Sequence, residues 1–579
     1  MEQSYTLRKG VAITMSDGIE LRADIWLPAG SGPWPVLLQR IPYDRTSSFM
    51  SQHMAGLEVT RALAADFAVV IQDTRGRFAS GGSFHPFQHE AADGEQTITW
   101  LREQPFCNGT VAMYGGSYVG AVQLLVAARS PQGLRAFAPQ LTASEYYEGW
   151  TYSGGALQLG FVLLWILESL AGPQLLREAA GEHRDQAERV LKELLLDPAA
   201  AFNQLPLLRE QLSLVAPYLN DWLVHPSRDQ FWKSLAPSDE YPRMDLAGLH
   251  IAGWHDIFCE GTLRNYQGLR AGAASEWARE HQYLVVGPWS HGNLGDWQGD
   301  LWYGHAAAAA AVDLTALHLE FFSAVLSGQE PELPRVRIFV TGINQWRDEA
   351  EWPLARARTH SLYLSSGGDA AGDPLSGKLE GDPAAVEGGS DRWWSDPLDP
   401  VPTVGGPTFL PGLLAARNSG SKAQLEVESR ADVALYTGQI LEDSLEVTGE
   451  VVLELHASSS ATDCDWTAKL VDVDPQGRAL NLVDGILRAR YRRGYEQPQP
   501  LTPGEPESFR VVLGSISHVF KAGHRLRLQV ASSNFPRFDR NPQQFITVAE
   551  ARSEDFRVAE QRVIHDANHQ SRLLLPVVD

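Results

Sequence analysis

The stretch "VAMYGGSYVGAVQ", residues 111–123, constrains the fold of this chain more than any other. Residues 111–114 read as a short buried strand. From Tyr118 onward, "YVGAVQLLVAARS" reads as a helix with an apolar stripe. Gly115 and Gly116 stand at the corner, where a tight strand-to-helix turn needs residues that tolerate unusual dihedrals and close backbone approach. A strand feeding a helix in this way is one unit of a parallel sheet.

Ser117 sits on that corner, so its hydroxyl projects away from the core, with the unpaired N–H groups of the helix start behind it. Two readings fit. Ser117 is the cap of an ordinary turn, or it is the nucleophile of the sharp elbow seen in α/β-hydrolases. The usual elbow is G-x-S-x-G. Here Val119 stands two residues after the serine and the glycine comes one later, at Gly120, so the stretch alone leaves both readings open.

The rest of the chain supplies the sheet. Residues 11–28 alternate apolar and polar around Asp17-Gly18, a hairpin signal. Apolar runs start at Val36, Phe67, Val111, Leu134, Leu249 and Tyr283, and several are continuous, as in strands buried on both faces of a parallel sheet. Strand signals vanish between about 145 and 245, where Leu, Ala, Glu and Arg dominate, as in "RDQAERVLKELLLDP". From about 355 short alternating runs appear between Gly, Asp and Pro turns, the texture of a β-sandwich or jelly roll. Residues 366–408 read as a long loop rich in Gly, Pro, Asp and Ser. The expected architecture is an α/β core at 1–144 and 241–354, an inserted helical cap at 145–240 and a jelly-roll-like β domain at 355–579.

Composition narrows the partners. A net charge of −23 argues against nucleic acid and anionic membranes. Three widely spaced cysteines, Cys107, Cys259 and Cys464, suit a reducing compartment better than a disulfide framework, and the first residues show no secretory pattern, so a cytoplasmic location is expected. The unbroken apolar run from Leu159 ends at Glu168, short of the ~20 residues of a membrane span. It reads as a buried helix or a pocket lining. Oligomerisation is left open.

A nucleophilic serine needs a histidine to take its proton and an acid to orient the histidine. In α/β-hydrolases the order is serine, acid, histidine, with the latter two on loops after later strands. "HIAGWHDIF" places Asp256 just past an apolar strand, and "YLVVGPWSHGN" places His291 past the next. Loops at the carboxyl ends of neighbouring parallel strands gather on one edge, which brings Ser117, Asp256 and His291 together. His255 is the rival base, but it precedes the acid and its side chain should point away from that of its neighbour. One oxyanion donor is then the backbone N–H of Tyr118, the residue after the nucleophile. The second belongs to a loop after an early strand, and "RIPYDR" is the matching loop.

The motifs "RIPYDR", "VVIQDTRGRFASGG", "GGSYVG", "AGWHDIF" and "GPWSHGN", with "DPVPTVGG", "TAKLVDVDPQGRA" and "VASSNFPRFDRNP" further on, together resemble the cocaine-esterase family of serine hydrolases. That family is related to the α-amino-acid ester hydrolases and the X-Pro dipeptidyl peptidases. The resemblance runs through nearly the whole chain in the same order. It implies the same three domains, with Ser117 as nucleophile, Asp256 as acid and His291 as base, and it accommodates the shifted Gly120. It also implies that the hydroxyl of Tyr43 is the second oxyanion donor. Trp150 and Trp165 of the cap, with Phe409 and Leu410 from the β side, would form an aromatic wall, joined by Phe258 from the core.

The resulting expectation is a serine carboxylesterase that takes a neutral, benzoyl-like acyl group and needs no cofactor or metal. In the amino-ester branch, carboxylates just after the triad aspartate bind the substrate ammonium; here Ile257, Phe258 and Cys259 follow Asp256, and Glu260 comes one step later. The rivals are an amidase, X-Pro dipeptidyl peptidase or α-amino-acid ester hydrolase on the same scaffold, and a non-enzymatic binding protein. "DVDPQGRALNLVDG" lacks the twelfth-position glutamate of a calcium loop and reads as a hairpin. "HEAAD" reads as a polar helix start, and "QDTRGR" as a structural turn.

Overall fold

The computed structural model of the chain describes residues 5–49, 51, 56–178, 180–409 and 418–578. Ten strands join in one sheet: β1 (Thr6–Thr14), β2 (Glu20–Leu27), β3 (Trp34–Ile41), β4 (Ala68–Asp73), β5 (Cys107–Gly116), β6 (Leu134–Gln140), β7 (Ala247–His255), β8 (Gln282–Ser290), β9 (Val336–Val340) and β10 (Gln345–Glu349). β1 and β2 form the expected hairpin, closed at Asp17-Gly18. β2 lies antiparallel to β4. From β4 the sheet runs parallel through β3, β5, β6, β7, β8 and β9, and β10 closes the far edge antiparallel.

Alternation along each central strand feeds two cores. Val36, Leu38, Val111 and Met113 pack on the face that carries the helices Glu90–Arg102 and Tyr118–Ala127. Leu37, Ile41, Ala112 and Tyr114 pack on the other, against Val59–Ala64 and Leu314–Leu326. Both faces are covered, which is why these strands read as unbroken apolar runs. Asp313 caps Leu314–Leu326 by accepting from the Ala316 N–H at 3.0 Å.

Between β6 and β7, residues 159–243 are mostly helical, preceded by an irregular stretch that holds a two-residue strand pair at 152–153 and 156–157. The most apolar of these helices is longer than the sequence suggested. It continues past Glu168 to span Leu159–Glu178, with turns widened to π geometry over Trp165–Ala171. By length and composition alone it could cross a membrane, yet 72% of its apolar window is buried inside the protein.

The β domain is an eleven-stranded assembly, dominated by the pairs Leu445–Ser459 with Glu507–Phe520 and Asp465–Val473 with Ala479–Arg488. The expected long loop at 366–408 holds two of its strands, Lys378–Glu380 and Gly389–Ser395. Gly389–Ser395 alternates buried and exposed residues, and its turn-forming flanks hid that pattern in the sequence. The calcium-like stretch is the hairpin expected of it, with Asp474 accepting from the Gln476 and Arg478 N–H groups.

Candidate active site

Ser117 follows β5 at the middle of the parallel sheet and opens the helix Tyr118–Ala127. Its backbone is held at φ 59°, ψ −128°, a sparsely populated conformation of the kind that concentrates at functional sites. Two hydrogen bonds and a neighbouring glycine accompany it. The Ser117 N–H donates to the Gln140 carbonyl at 2.9 Å, the Thr142 hydroxyl donates to the Ser117 carbonyl at 2.9 Å, and Gly115 turns the chain with φ 127°. The displaced glycine also has its reason here: a Cβ on Gly120 would stand 2.8 Å from the Cβ of Thr142, the residue that holds Ser117.

The carboxyl ends of β7 and β8 deliver the partners. The Ser117 hydroxyl lies 2.9 Å from His291 Nε2, and His291 Nδ1 lies 2.8 Å from Asp256 Oδ2. The other carboxylate oxygen of Asp256 accepts from the Phe258 N–H at 2.6 Å, which fixes its orientation. With Nδ1 donating to the carboxylate, Nε2 is free to accept the serine proton. His255 points elsewhere: its Nε2 meets the Tyr303 hydroxyl at 3.1 Å, and burial pulls its pKa down to about 4.

Tyr43 lines the same cavity as Ser117. Its hydroxyl oxygen accepts from Trp165 Nε1 at 2.8 Å, and burial pushes the phenol far above its ordinary pKa, so it stays a donor. The loop that carries Tyr43 is clamped by Arg77, the last residue of the "QDTRGR" turn. The buried Arg77 guanidinium donates to the carbonyls of Pro42 (2.7 Å), Leu170 (2.9 Å) and Ser169 (3.1 Å), tying the loop to the cap helix. Tyr118 opens its helix, where its N–H has no intrahelical carbonyl to reach. Its side chain turns inward, accepting from the Phe87 N–H at 2.8 Å and donating to Glu90 at 3.0 Å.

A cavity of about 110 Å³ opens beside the serine, walled by Tyr43, Phe161, Trp165, His291 and Phe409, with Gln39 and Gln140 below. The aromatic residues named from the sequence divide. Trp165 and Phe409 line this cavity. Trp150 and Phe258 stack on each other at 4.4 Å, fully buried behind it, and Phe258 meets His291 edge-on at 5.0 Å. Leu410 lies outside the described residues. Phe161, Gln39 and Gln140 were not singled out in the sequence, since each lies within a run that reads simply as helix or strand.

A second, polar cleft of about 810 Å³ lies between core, cap and β domain, behind Asp256. Its acidic groups are engaged. Glu145 pairs with Arg228 at 2.7 Å, and Glu260 accepts from the Ser515 N–H (2.5 Å) and hydroxyl (3.1 Å). Glu148 accepts from the Gly154 N–H at 3.2 Å, and burial raises its pKa to about 7. Among the described residues no group of three or more His, Cys, Asp or Glu side chains could hold a metal ion.

Comparison with known proteins places the chain in a family. Residues 17–293 match the family model of the X-Pro dipeptidyl-peptidase (S15 family), and 331–574 match the X-Pro dipeptidyl-peptidase C-terminal non-catalytic domain. Cocaine esterase of Rhodococcus sp. (strain MB1 Bresler) is 37% identical over 592 residues, covering 100% of both chains. Among solved structures, an aminopeptidase from a marine sediment archaeon, Thaumarchaeota archaeon, superposes with a TM-score of 0.82 at 26% identity, covering 99% of this chain and 96% of its own. An α-amino acid ester hydrolase superposes with a TM-score of 0.80 at 27% identity, covering 99% and 97%. Full-length identity to an esterase, with an α/β-hydrolase core followed by the family's β domain, means that the chain belongs to the cocaine-esterase family of S15-type serine hydrolases and is a serine ester hydrolase.

Proposed function

We propose that the enzyme is a carboxylesterase for neutral, aromatic acyl groups, working through an acyl-serine intermediate. His291 takes the Ser117 proton as Oγ attacks the ester carbonyl. The Tyr118 N–H and the Tyr43 hydroxyl receive the developing oxyanion. His291 then protonates the leaving alkoxide, and water repeats the cycle on the acyl-enzyme.

The observation that carries the acyl preference is the lining of the Ser117 cavity. None of its described residues is a carboxylate, and Phe161, Trp165 and Phe409 present ring surface to it. Such a wall favours an aryl group through edge and face contacts, whereas an ammonium there would lose its water without gaining a counter-charge. The peptidase and amino-ester readings need an acid near the acyl group. Glu260, the candidate closest in sequence, is spent on Ser515.

The test compares kcat/KM for para-nitrophenyl benzoate with that for the para-nitrophenyl ester of phenylglycine. The neutral ester should win by about tenfold or more. The reverse order by a similar factor would overturn the reading.

A further inference from the structure

The floor of the Ser117 cavity differs chemically from its wall. Gln39 on β3 and Gln140 at the end of β6 both line the cavity, and neither is more than 1% exposed. Both amide atoms of Gln39, and the amide oxygen of Gln140, have no hydrogen-bond partner among the described residues. Buried side-chain amides are almost always satisfied, because an unpaired one gives up its hydration for nothing. Two residues with such amides line one cavity beside a nucleophile, so their unused hydrogen-bonding capacity is available to something that enters it.

Position supports this. Gln39 Nε2 lies 3.5 Å from where a Cβ on Gly115 would be, two residues before Ser117 in the chain. Gln39 and Gln140 share the sheet face of Leu37, Ile41, Ala136 and Ala138, which are apolar throughout, so the amides interrupt a core that local folding would fill with aliphatic side chains. Two further polar atoms on that face have no partner among the described residues, the Tyr114 hydroxyl and His318 Nε2. His318 and Gln140 flank Gly56, with atoms 3.5 and 2.9 Å from where its Cβ would stand. Burial lowers the His318 pKa to about 4, so this surface is uncharged at neutral pH.

We propose that Gln39 and Gln140 form a polar subsite on the sheet side of Ser117 that takes an uncharged substrate group able both to donate and to accept hydrogen bonds, such as a carboxamide or hydroxyl. This rests on the esterase reading and adds to it a second recognition element beside the aromatic wall. A site built around such groups rejects the apolar isostere, because the amides are then buried against carbon.

Two matched pairs of esters test it and locate the group. On the acyl side the pair is para-nitrophenyl meta-carbamoylbenzoate and para-nitrophenyl meta-isopropylbenzoate. On the alcohol side it is the benzoate of 2-hydroxyacetamide and the benzoate of isobutanol. Each kcat/KM is divided by that ester's alkaline hydrolysis rate and expressed per active site titrated with a fluorophosphonate, which removes intrinsic reactivity and misfolded protein from the comparison. In one pair the carboxamide should be preferred by about tenfold or more, and Gln39→Leu and Gln140→Leu should each bring that preference to within about threefold of unity. Equal rates within both pairs would overturn the subsite and leave the esterase standing. So would a preference that survives in both variants. Turnover of neither member of either pair would overturn the esterase reading and the subsite with it.

Discussion

The indole N–H of Trp165, a cap residue, donates to the hydroxyl oxygen of Tyr43, a loop residue of the core, at 2.8 Å. That bond engages the oxygen and leaves the phenolic proton free to be donated. Tyr43→Phe keeps the ring and removes the donor. Steady-state kinetics should show kcat lower by roughly 10²–10³-fold with KM little changed, since the bond strengthens mainly in the transition state. A raised KM with normal kcat would make Tyr43 a pocket wall only. Trp165→Phe should give a smaller loss in kcat. The double variant should lose less than the sum of the two, because both act on one hydroxyl.

Ser117→Ala should lose turnover by about 10⁶-fold, the scale of nucleophile removal in serine hydrolases. Its melting temperature should change little, because the hydroxyl lines a cavity, bonded to His291, rather than filling the core. Residual activity within about tenfold of the parent enzyme would remove Ser117 from the mechanism.

Glu260→Gln bears on amino-ester specificity. The carboxylate of Glu260 is held by Ser515 of the β domain, away from the cavity of Ser117. The substitution should leave the ratio of benzoate to phenylglycine ester hydrolysis unchanged. A shift of that ratio by tenfold would show that Glu260 reaches the substrate.

Glu148 gives a pH signature in stability. Burial raises its pKa to about 7 from an ordinary 4.5, so the folded protein holds its proton more tightly than the unfolded chain. The stabilisation from that proton is full below about pH 4.5 and is lost as pH rises through about 7. Glu148→Gln mimics the protonated form. Thermal or urea denaturation should find it more stable than the parent by on the order of 1–3 kcal/mol above pH 7, with the difference closing toward pH 4.5. A difference independent of pH would mean that Glu148 titrates normally.

The site was legible in the sequence where chemistry coincides with a local backbone signal. Ser117 stands behind two glycines, and Asp256 and His291 each follow an apolar strand, so their edge of the sheet could be read from order alone. The mixed sheet was legible for the same reason: strands covered on both faces carry unbroken apolar runs. Gln39 and Gln140 sit inside such runs, and nothing local distinguishes a strand position that faces a cavity from one that faces a helix. Trp150 and Phe258 show the converse. Their size and apolarity promised a wall, but only three-dimensional packing decides which rings meet the void and which meet each other. Arg77 was hidden because its partners are main-chain carbonyls, which leave no trace in side-chain pattern.

Phe409 comes from the β-domain side of the chain, yet its ring stands 5.5 Å from that of His291 and closes the cavity. The matched C-terminal family is described as non-catalytic, but this residue lines the cavity that holds Ser117. Exchange of the β domain between relatives, by recombination or by design, would therefore change substrate choice without touching a single residue of the hydrolase half. The hydrolase half separated from its β domain would be a catalyst with one side of its mould missing.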